Sequence, residues 1–290
     1  MCDDLTVHEE DAALAAKGMS RREFAAVGAA AVMAGCAGVD GNAKAAGLKE
    51  ALVTIDTPDG KADCFFVHPA RGKAPGIIMW PDIAGLREAY KTMGRRLAQA
   101  GYAVLVVNQY YRSSPAPIMA TMSEWRTPEG QAKLAPMIAA ITNDGTTRDA
   151  AAFVAWLDRQ AAVDTKRKIG SNGYCMGGPM TIRTAAAVPE RVGAAASFHG
   201  ANLVNDRPDS PHRLLAATRA SYLIAIARGD DARAPGDKDA LRTAADAAHR
   251  TAEIEVYPAE HGWCTLDAPV YDQVQADRAW DRMLALFKQL

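Results

Sequence analysis

The stretch Gly173-Tyr174-Cys175-Met176-Gly177-Gly178 decides the fold of this chain. It contains the pattern G-x-C-x-G, between the strand-like residues 168–172 and the helix-compatible residues 179–185. A nucleophile on a sharp turn between strand and helix needs glycine neighbours, because a Cβ there would collide with nearby backbone. A cysteine at the start of a helix also lies near the positive end of the helix dipole, which favours the thiolate. The sequence therefore predicts that Cys175 is a nucleophile. A buried structural cysteine beside a glycine-rich turn is the alternative.

Candidate acids and a candidate base follow the nucleophile along the chain. Residues 221–227 indicate a buried strand that runs into Asp230 and Asp231. Residues 254–257 indicate another strand, and His261 follows it. Because the carboxyl ends of parallel strands meet at the edge where open α/β folds bind ligands, these side chains are expected to lie together. We expect His261 to take the thiol proton while a carboxylate fixes its tautomer. Asp231 is the preferred acid, with Asp230 as its alternative, and an exposed loop position is the alternative for His261.

The chain from residue 51 to the C-terminus resembles the dienelactone hydrolases, also called carboxymethylenebutenolidases. The resemblance rests on the stretch around Cys175, on Gly229-Asp230-Asp231-Ala232-Arg233-Ala234-Pro235, and on the strand that leads to His261. In that family the catalytic aspartate lies four residues before a proline, and Asp231 and Pro235 match this spacing. The resemblance implies an α/β-hydrolase fold, with a mostly parallel central sheet flanked by helices on both faces. It also implies a Cys-Asp-His triad that needs no metal and no organic cofactor.

The loop after the buried strand at residues 76–80 is a second point of resemblance. In α/β-hydrolases this loop supplies one backbone N–H of the oxyanion hole, and the residue after the nucleophile supplies the other. Here these N–H groups belong to Ile83 and Met176. In the family a glutamate of this loop holds the cysteine in check until substrate binds, and Asp82 occupies its position. The resemblance therefore implies that Asp82 lies at the substrate, with a loop or helix-capping acid as the alternative.

Residues 104–112, a predicted strand that ends in aromatic residues and a cation, are the third point of resemblance. The family uses an arginine here to grip the substrate carboxylate, which implies that Arg112, beside Tyr111, binds substrate. The planar guanidinium suits this task because it pairs with both carboxylate oxygens. A surface arginine is the alternative. Family members that act on dienelactone tend to carry a further arginine four residues after the catalytic histidine, where this chain has Thr265. That departure indicates a substrate other than dienelactone.

The N-terminal part of the sequence indicates export. Ser20-Arg21-Arg22-Glu23-Phe24 is a twin-arginine motif, and a short alanine-rich apolar stretch follows at once. The stretch is too short and too weakly apolar to span a bilayer comfortably. We therefore expect residues 1–45 to be a leader read by the twin-arginine (Tat) export machinery, and the protein to be periplasmic or otherwise exported. Cleavage is expected after Ala43-Lys44-Ala45. A lipid anchor through Cys36 and an amphipathic helix of a cytosolic enzyme are the alternatives.

Composition argues against several other classes of protein. The net charge of −1 gives no reason to expect a nucleic acid or an anionic membrane as a partner. The chain has five cysteines but no C-x-x-C pair, so neither a zinc site nor a thioredoxin-like motif is indicated. Cys264, three residues past His261, is expected to approach Cys175. Cys64 is expected in the core.

Residues 46–290 suit one α/β domain. A turn signal at Pro58-Asp59-Gly60 predicts an N-terminal β-hairpin. The polar, proline-containing residues 113–143 are interpreted as an insertion over the active site that takes part in substrate selection. His199, in a further predicted strand, is an alternative base.

These residues favour a hydrolase that cleaves ester or lactone bonds of a small molecule through a thiol acyl-enzyme. A broad-specificity carboxylesterase acting on small neutral esters is a second hypothesis, which Thr265 favours. A third hypothesis is an exported binding protein that retains the fold without turnover, which the aspartate at position 82 leaves open.

Overall fold

The computed structural model describes residues 47–290 and, upstream of them, Asp11, Ala12, Leu14, Ala15 and Gly18. The twin-arginine motif, Cys36 and the expected cleavage site lie outside the described residues. Leu14 is buried, and the Asp11 carboxylate pairs with Arg126 at 2.8 Å. Among the described residues, none of the helices combines the length and the apolar character that a bilayer crossing requires.

The strands of the described chain form one eight-stranded sheet. Their bounds are β1 (Leu48–Thr57), β2 (Gly60–Pro69), β3 (Gly76–Trp80), β4 (Ala103–Val107), β5 (Ile169–Tyr174), β6 (Val192–Phe198), β7 (Ser221–Ala227) and β8 (Ala252–Tyr257). The order across the sheet is β1-β2-β4-β3-β5-β6-β7-β8. β2 pairs antiparallel with β1 and with β4, and the remaining pairs are parallel. The prediction of a mostly parallel sheet is confirmed.

Helices connect most of the parallel strands. Their bounds are α1 (Glu88–Gln99), α2 (Met122–Trp125), α3 (Pro128–Ala139), α4 (Asn143–Asp158), α5 (Gly177–Ala187), α6 (Pro211–Leu214), α7 (Arg228–Arg233), α8 (Asp237–Ala247) and α9 (Gln273–Phe287), with a 3₁₀ turn at Leu215–Ala217. Thr142 is the N-cap residue of α4, and its side chain accepts the Gly145 N–H and so caps the first turn. Gly101, with φ +98°, follows the end of α1 and provides the left-handed turn into β4.

Both faces of the sheet are covered by helices, as predicted. Because side chains alternate along a strand, neighbouring β3 residues enter different clusters of the core. Ile78 packs in one cluster with Phe153 of α4, whereas Ile77 packs in the other with Leu97 of α1 and Phe287 of α9. These five side chains are almost completely buried, so the core lies on both sides of one continuous sheet.

The predicted N-terminal hairpin is present. Thr57 lies opposite Gly60 at the end of the antiparallel β1–β2 ladder, and Gly60 has φ +138°, a conformation that favours glycine. β1 forms one edge of the sheet.

The predicted insertion contains α2 and α3. We call residues 113–142 the cap, since α4 begins at Asn143. Met119, Met122 and Leu134 of the cap form an apolar cluster with Ile83 and Tyr110, residues of the loops that follow β3 and β4. The cap therefore packs over the carboxyl edge of the sheet. That edge also carries Cys175 after β5, Asp230 after β7 and His261 after β8.

Candidate active site

Cys175 occupies the sharp turn between β5 and α5. Its φ of +52° is a left-handed conformation that costs a residue other than glycine of order 1–3 kcal/mol. The strain is held by backbone hydrogen bonds: the Cys175 N–H donates to the Phe198 carbonyl at 3.1 Å, and the Cys175 carbonyl accepts from Gly178 at 3.0 Å and from Ala201 at 3.1 Å. The side chain is not in a disulfide and is 2 % exposed. This is the strand-turn-helix geometry of a nucleophile elbow.

The glycines of the motif are required by close approach of backbone. A Cβ on Gly177 would lie 2.3 Å from the Trp80 carbonyl oxygen at the end of β3. A Cβ on Gly178 would lie 2.5 Å from the Cα of Gly200, and one on Gly173 would lie 2.2 Å from the Gly177 carbonyl oxygen. Each of these distances is shorter than non-bonded atoms allow, so the turn can form only with glycine at these positions.

His261 contacts both the candidate nucleophile, Cys175, and an acid, Asp230. Its side chain is hydrogen-bonded to that of Cys175, and its Nδ1 lies 2.8 Å from Oδ2 of Asp230. Burial acts to lower the pKa of His261. The negative charge of Cys175 and the hydrogen bonds with Asp230 and Cys175 outweigh that effect and raise the pKa to about 10. The site therefore favours an imidazolium ion beside the sulfur atom, held by a carboxylate on its other nitrogen.

The preference for Asp231 as the orienting acid is wrong. The Asp231 carboxylate lies 2.6 Å from Nζ of Lys238 on α8, whereas Asp230 contacts His261. Both aspartates lie on the short helix α7, where successive side chains point about 100° apart, so only one of them can face His261. The four-residue spacing before Pro235 therefore selected the neighbour of the residue that contacts His261.

The Ile83 and Met176 amides are the predicted donors of an oxyanion hole. Met176 immediately follows the nucleophile, and Ile83 lies in the loop after β3. Among the described residues, neither backbone N–H has a hydrogen-bond acceptor. The side chains of both residues take part in the apolar cluster under the cap. Tyr110, which sequence reasoning missed, binds this pair because its hydroxyl donates to the Ile83 carbonyl at 2.7 Å and lies 3.6 Å from the Met176 sulfur.

Asp82 does not present its carboxylate to a substrate. The side chain is buried, and both of its oxygens accept from the Arg87 guanidinium, at 2.7 and 2.9 Å. One oxygen also accepts the Ala84 N–H at 2.9 Å. The carboxylate interacts electrostatically with Cys175, so it lies in the vicinity of the nucleophile, but both of its oxygens already accept hydrogen bonds from protein donors. Its assignment as a substrate-binding residue is therefore not supported by the geometry.

The substrate-binding assignment of Arg112 and Tyr111 is contradicted by the structure. The Arg112 guanidinium binds Asp149 of α4 through two nitrogens, at 2.7 and 2.8 Å, and Asp59 of the hairpin turn at 2.6 Å. The Tyr111 hydroxyl donates to Asp149 at 2.7 Å and contacts Thr57. These side chains therefore tie the β1–β2 turn to α4. The sequence could not reveal these two carboxylates as partners of Arg112, because Asp149 and Asp59 lie 37 and 53 positions from it along the chain.

His199, the alternative base, lies against the nucleophile's backbone. Its Nδ1 accepts a hydrogen bond from the Cys175 N–H at 3.1 Å, and its ring centroid is 4.8 Å from that of His261. Burial, together with the nearby His261 charge, lowers the pKa of His199 well below its usual value. A neutral His199 whose Nδ1 binds the Cys175 N–H positions the nucleophile, and His261 makes the contact with the thiol.

The remaining cysteines of the described chain, Cys64 and Cys264, are buried and form no disulfide. Burial raises the pKa of the Cys264 thiol well above its usual value, so Cys264 stays protonated. Cys64 lies in the core, as predicted. In the part of the chain that the structure describes, no group of three or more His, Cys, Asp and Glu side chains could hold a metal ion.

The chain is similar to known proteins of one family. Residues 62–290 match the model of the dienelactone hydrolase family. A protein of Methylorubrum extorquens, provisionally named a carboxymethylenebutenolidase, is 28% identical over 249 residues, which cover 84% of this chain and 82% of that protein. A protein of Escherichia coli K12 with the same provisional name is 28% identical over 223 residues, covering 75% of this chain and 78% of its own. A crystal structure from Klebsiella pneumoniae, provisionally named a dienelactone hydrolase, has a TM-score of 0.72 at 23% identity and covers 84% of this chain and 99% of its own.

Proposed function

Because the chain belongs to the dienelactone hydrolase family of hydrolases, we propose that it cleaves carboxylic ester or lactone bonds through a thiol acyl-enzyme. The observation that carries the proposal is the hydrogen-bonded series Cys175–His261–Asp230 at the carboxyl edge of the sheet. A nucleophile that contacts a base, which is in turn oriented by an acid, is the arrangement that nucleophilic catalysis requires. The interaction that favours the His261 imidazolium is mutual, so it equally favours the Cys175 thiolate.

The first half of the reaction forms the acyl-enzyme. The Cys175 sulfur attacks the carbonyl carbon, a C–S bond forms, and the carbonyl π electrons move to oxygen. The Ile83 and Met176 N–H groups are placed to stabilise that oxyanion. When the C–O bond breaks, the His261 imidazolium gives its proton to the departing alkoxide, which leaves as an alcohol. Asp230 keeps His261 in the orientation that this transfer needs.

The second half returns the enzyme to its starting state. His261, now neutral, takes a proton from water, and the hydroxide attacks the acyl carbon. The C–S bond breaks when the second tetrahedral intermediate collapses, the carboxylic acid leaves, and the thiolate–imidazolium pair forms again. The sum of the two halves is one ester and one water giving one acid and one alcohol.

Cys175→Ala tests the proposal, with Cys264→Ala as the control because that thiol is also buried but is hydrogen-bonded with Trp263. We expect hydrolysis of p-nitrophenyl acetate to disappear in Cys175→Ala, with an unchanged circular dichroism spectrum, and to persist in Cys264→Ala. Equal turnover in both variants would reject the assignment. A wild-type protein that hydrolyses no ester or lactone, and whose Cys175 is not alkylated by iodoacetamide at neutral pH, would favour the binding-protein hypothesis.

Neutral esters are favoured over a carboxylate-bearing lactone, because two arginines considered as binders of a substrate carboxylate are already paired with aspartates. The Arg112 guanidinium is taken by Asp149 and Asp59, and the Arg87 guanidinium by Asp82 and Asp267. Thr265 is fully buried, and it occupies the position at which family members that act on dienelactone tend to carry an arginine. Under the cap, the wall beside Ile83 and Met176 is apolar. A substrate carboxylate would therefore lose its hydration without gaining the ion pair that offsets the loss.

The second proposal is tested by comparing kcat/KM for p-nitrophenyl acetate and butyrate with kcat/KM for a lactone that carries a free carboxylate. We expect the neutral esters to be turned over at least 100-fold more efficiently, on the order of the cost of burying an unpaired charged group. A higher kcat/KM for the anionic lactone would restore the dienelactone-type substrate.

We also propose that the protein is exported by the twin-arginine route, which the Ser20–Phe24 motif supports. Replacing both Arg21 and Arg22 by lysine should keep the protein in the cytoplasm when cell fractions are compared by immunoblot. An unchanged distribution between fractions would remove the proposal.

A further inference from the structure

A buried group of three charged residues lies beside the proposed oxyanion loop, residues 82–85. Arg87 is 1% exposed, Asp82 0% and Asp267 3%. The guanidinium Nε and Nη2 donate to the two oxygens of Asp267 at 2.8 and 2.7 Å, and Nη1 and Nη2 donate to the two oxygens of Asp82 at 2.7 and 2.9 Å. Nη1 also donates to the Gly85 carbonyl at 3.1 Å. All five N–H groups of Arg87 are therefore used, and the residue cannot bind substrate.

The three residues join segments that are far apart in sequence. Asp82 begins the oxyanion loop, and Asp267 lies on the segment that follows His261. Asp267 Oδ2 also accepts the backbone N–H of Met122, the first residue of α2 in the cap, at 3.1 Å. One guanidinium thus connects the oxyanion loop, the loop of the base and the cap.

The contacts of the loop determine the direction of the Ile83 N–H. The Asp82 carbonyl accepts from the Gln109 side chain at 2.7 Å and from the Gly85 N–H at 3.0 Å. Because a trans peptide is planar, its N–H points opposite to its C=O. Fixing the Asp82 carbonyl therefore fixes the Ile83 N–H on the other side of the same peptide. Arg87 holds the rest of the loop, because it donates to the Gly85 carbonyl and binds the Asp82 carboxylate, which in turn accepts the Ala84 N–H.

We infer that Arg87 is a positioning residue, which holds the Ile83 N–H in place for the tetrahedral oxyanion. This inference rests on the proposed ester or lactone hydrolysis, since only a reaction at a carbonyl forms that oxyanion. Burial acts against the charge of Arg87, but Asp267 and Asp82 outweigh it and raise the pKa of Arg87 further above its usual value, so the guanidinium stays charged. Lysine cannot replace it, because a compact ammonium group has three donors and cannot form two bidentate pairs.

The test compares two reactions of the same thiol. Methyl methanethiolsulfonate reacts with the Cys175 thiolate at its sulfenyl sulfur, so that a disulfide forms, the S–S bond of the reagent breaks and methanesulfinate leaves without a tetrahedral intermediate at carbon. In contrast, p-nitrophenyl acetate acylates the thiolate through a tetrahedral oxyanion. We expect Arg87→Lys to slow acylation by about 10- to 100-fold, the size of effect that follows from displacing an oxyanion donor by about 1 Å. Modification by the thiosulfonate, followed on the Cys175 peptide by mass spectrometry, should stay within about threefold of wild type.

Arg112→Lys is the matched control. It also replaces the guanidinium of an arginine that binds two aspartates, but this arginine lies at the β1–β2 hairpin and not at the oxyanion loop. It should leave both rates unchanged. Asp267→Asn is the second variant, in case Arg87→Lys does not fold: it keeps the size of the side chain and removes one ion pair, and it should slow acylation selectively.

An equal fall of both rates would overturn the inference, because Arg87 would then support the Cys175–His261 pair or the fold as a whole. Unchanged acylation in Arg87→Lys and in Asp267→Asn would also overturn it. A wild-type protein that reacts with the thiosulfonate but is not acylated by any ester or lactone would instead reject the proposed function, so the two failures can be distinguished.

Discussion

The choice between two adjacent aspartates shows how residue-scale geometry decides a catalytic role. Asp230 and Asp231 have the same side chain and the same strand before them. On α7 the first points to His261 and the second to Lys238. The two side chains point in different directions because successive residues of a helix are rotated by about 100°. A pattern of residue types does not show which of the two directions faces His261.

Replacing each aspartate by asparagine should separate the two roles. Asp230→Asn removes the carboxylate that orients His261 and supports its charge, so we expect kcat to fall by about 10²- to 10⁴-fold. Asp231→Asn breaks only the contact with Lys238, and we expect kcat within about threefold of wild type. Steady-state kinetics with p-nitrophenyl acetate measures both. A larger loss in Asp231→Asn would reverse the assignment.

The protonation of His261 is a second residue-scale prediction. Its pKa is raised from 6.5 to about 10, with the charge of Cys175 as the strongest raising cause. We therefore expect the His261 imidazole signals in an NMR titration to change near pH 10 in the wild type, and at a much lower pH in Cys175→Ala. A wild-type midpoint near 6.5 would show that no thiolate–imidazolium pair exists.

The same shift predicts how stability depends on pH. Since the native state holds the His261 proton more tightly than the unfolded chain does, the contribution of His261 is complete below about pH 6.5 and is lost as the pH rises towards 10. Because the unfolded Cys175 thiol keeps its own proton up to about pH 8.5, the net fall in stability is expected between about pH 8.5 and 10. The decrease in the free energy of unfolding over this range should be smaller in Cys175→Ala, because that variant lacks the sulfur charge.

At the scale of the element, the junction of β5 and α5 depends on backbone contacts between neighbouring units. Gly177 packs against the end of β3, and Gly178 packs against Gly200 after β6. The turn is therefore fixed by three parallel strands together. For this reason the strained φ of Cys175 persists, since the surrounding backbone leaves no room for relaxation.

Gly177→Ala should destabilise the protein by about 3 kcal/mol or more, because the new Cβ would lie 2.3 Å from the Trp80 carbonyl oxygen and neither backbone segment can move freely. Gly236→Ala is the control, since no atom lies within 4 Å of its Cβ position and its φ is −80°. It should change the free energy of unfolding by no more than about 0.5 kcal/mol. Urea unfolding followed by circular dichroism measures both. A similar loss in the two variants would show that the elbow is not sterically constrained.

At the scale of the whole molecule, the hairpin is joined to the α/β body by charge as well as by the sheet. Asp149 of α4 is 2% exposed and binds the Arg112 guanidinium and the Tyr111 hydroxyl. Arg112 also binds Asp59 in the hairpin turn. The segment that the resemblance assigned to substrate is therefore part of the scaffold.

Asp149→Ala should lower the free energy of unfolding by about 2 to 4 kcal/mol, because it leaves a guanidinium and a hydroxyl without their partially buried acceptor. Glu190→Ala, which breaks an ion pair with Arg219 whose side chains are both 65% exposed, should cost no more than about 1 kcal/mol. Turnover of the folded Asp149→Ala protein should match wild type. A selective loss of activity on anionic substrates in that variant would return Arg112 to the active site.

The sequence by itself determined the parts of this protein that depend on short-range patterns. The elbow around Cys175, the alternation of strands and helices, the hairpin turn and the position of His261 after a strand each follow from residue types a few positions apart. Periodicity and glycine placement report local backbone geometry, which neighbouring residues control.

Only the tertiary structure decided which charged side chains meet. Arg87 and Asp267 are 180 positions apart, and Arg112 and Asp59 are 53 apart, so no local pattern distinguishes a buried partner from a solvated surface charge. The choice of Asp230 over Asp231 has the same cause at a smaller scale. A carboxylate or guanidinium acquires its role from whichever opposite charge the folded chain brings within about 3 Å, and that distance is a property of the packing.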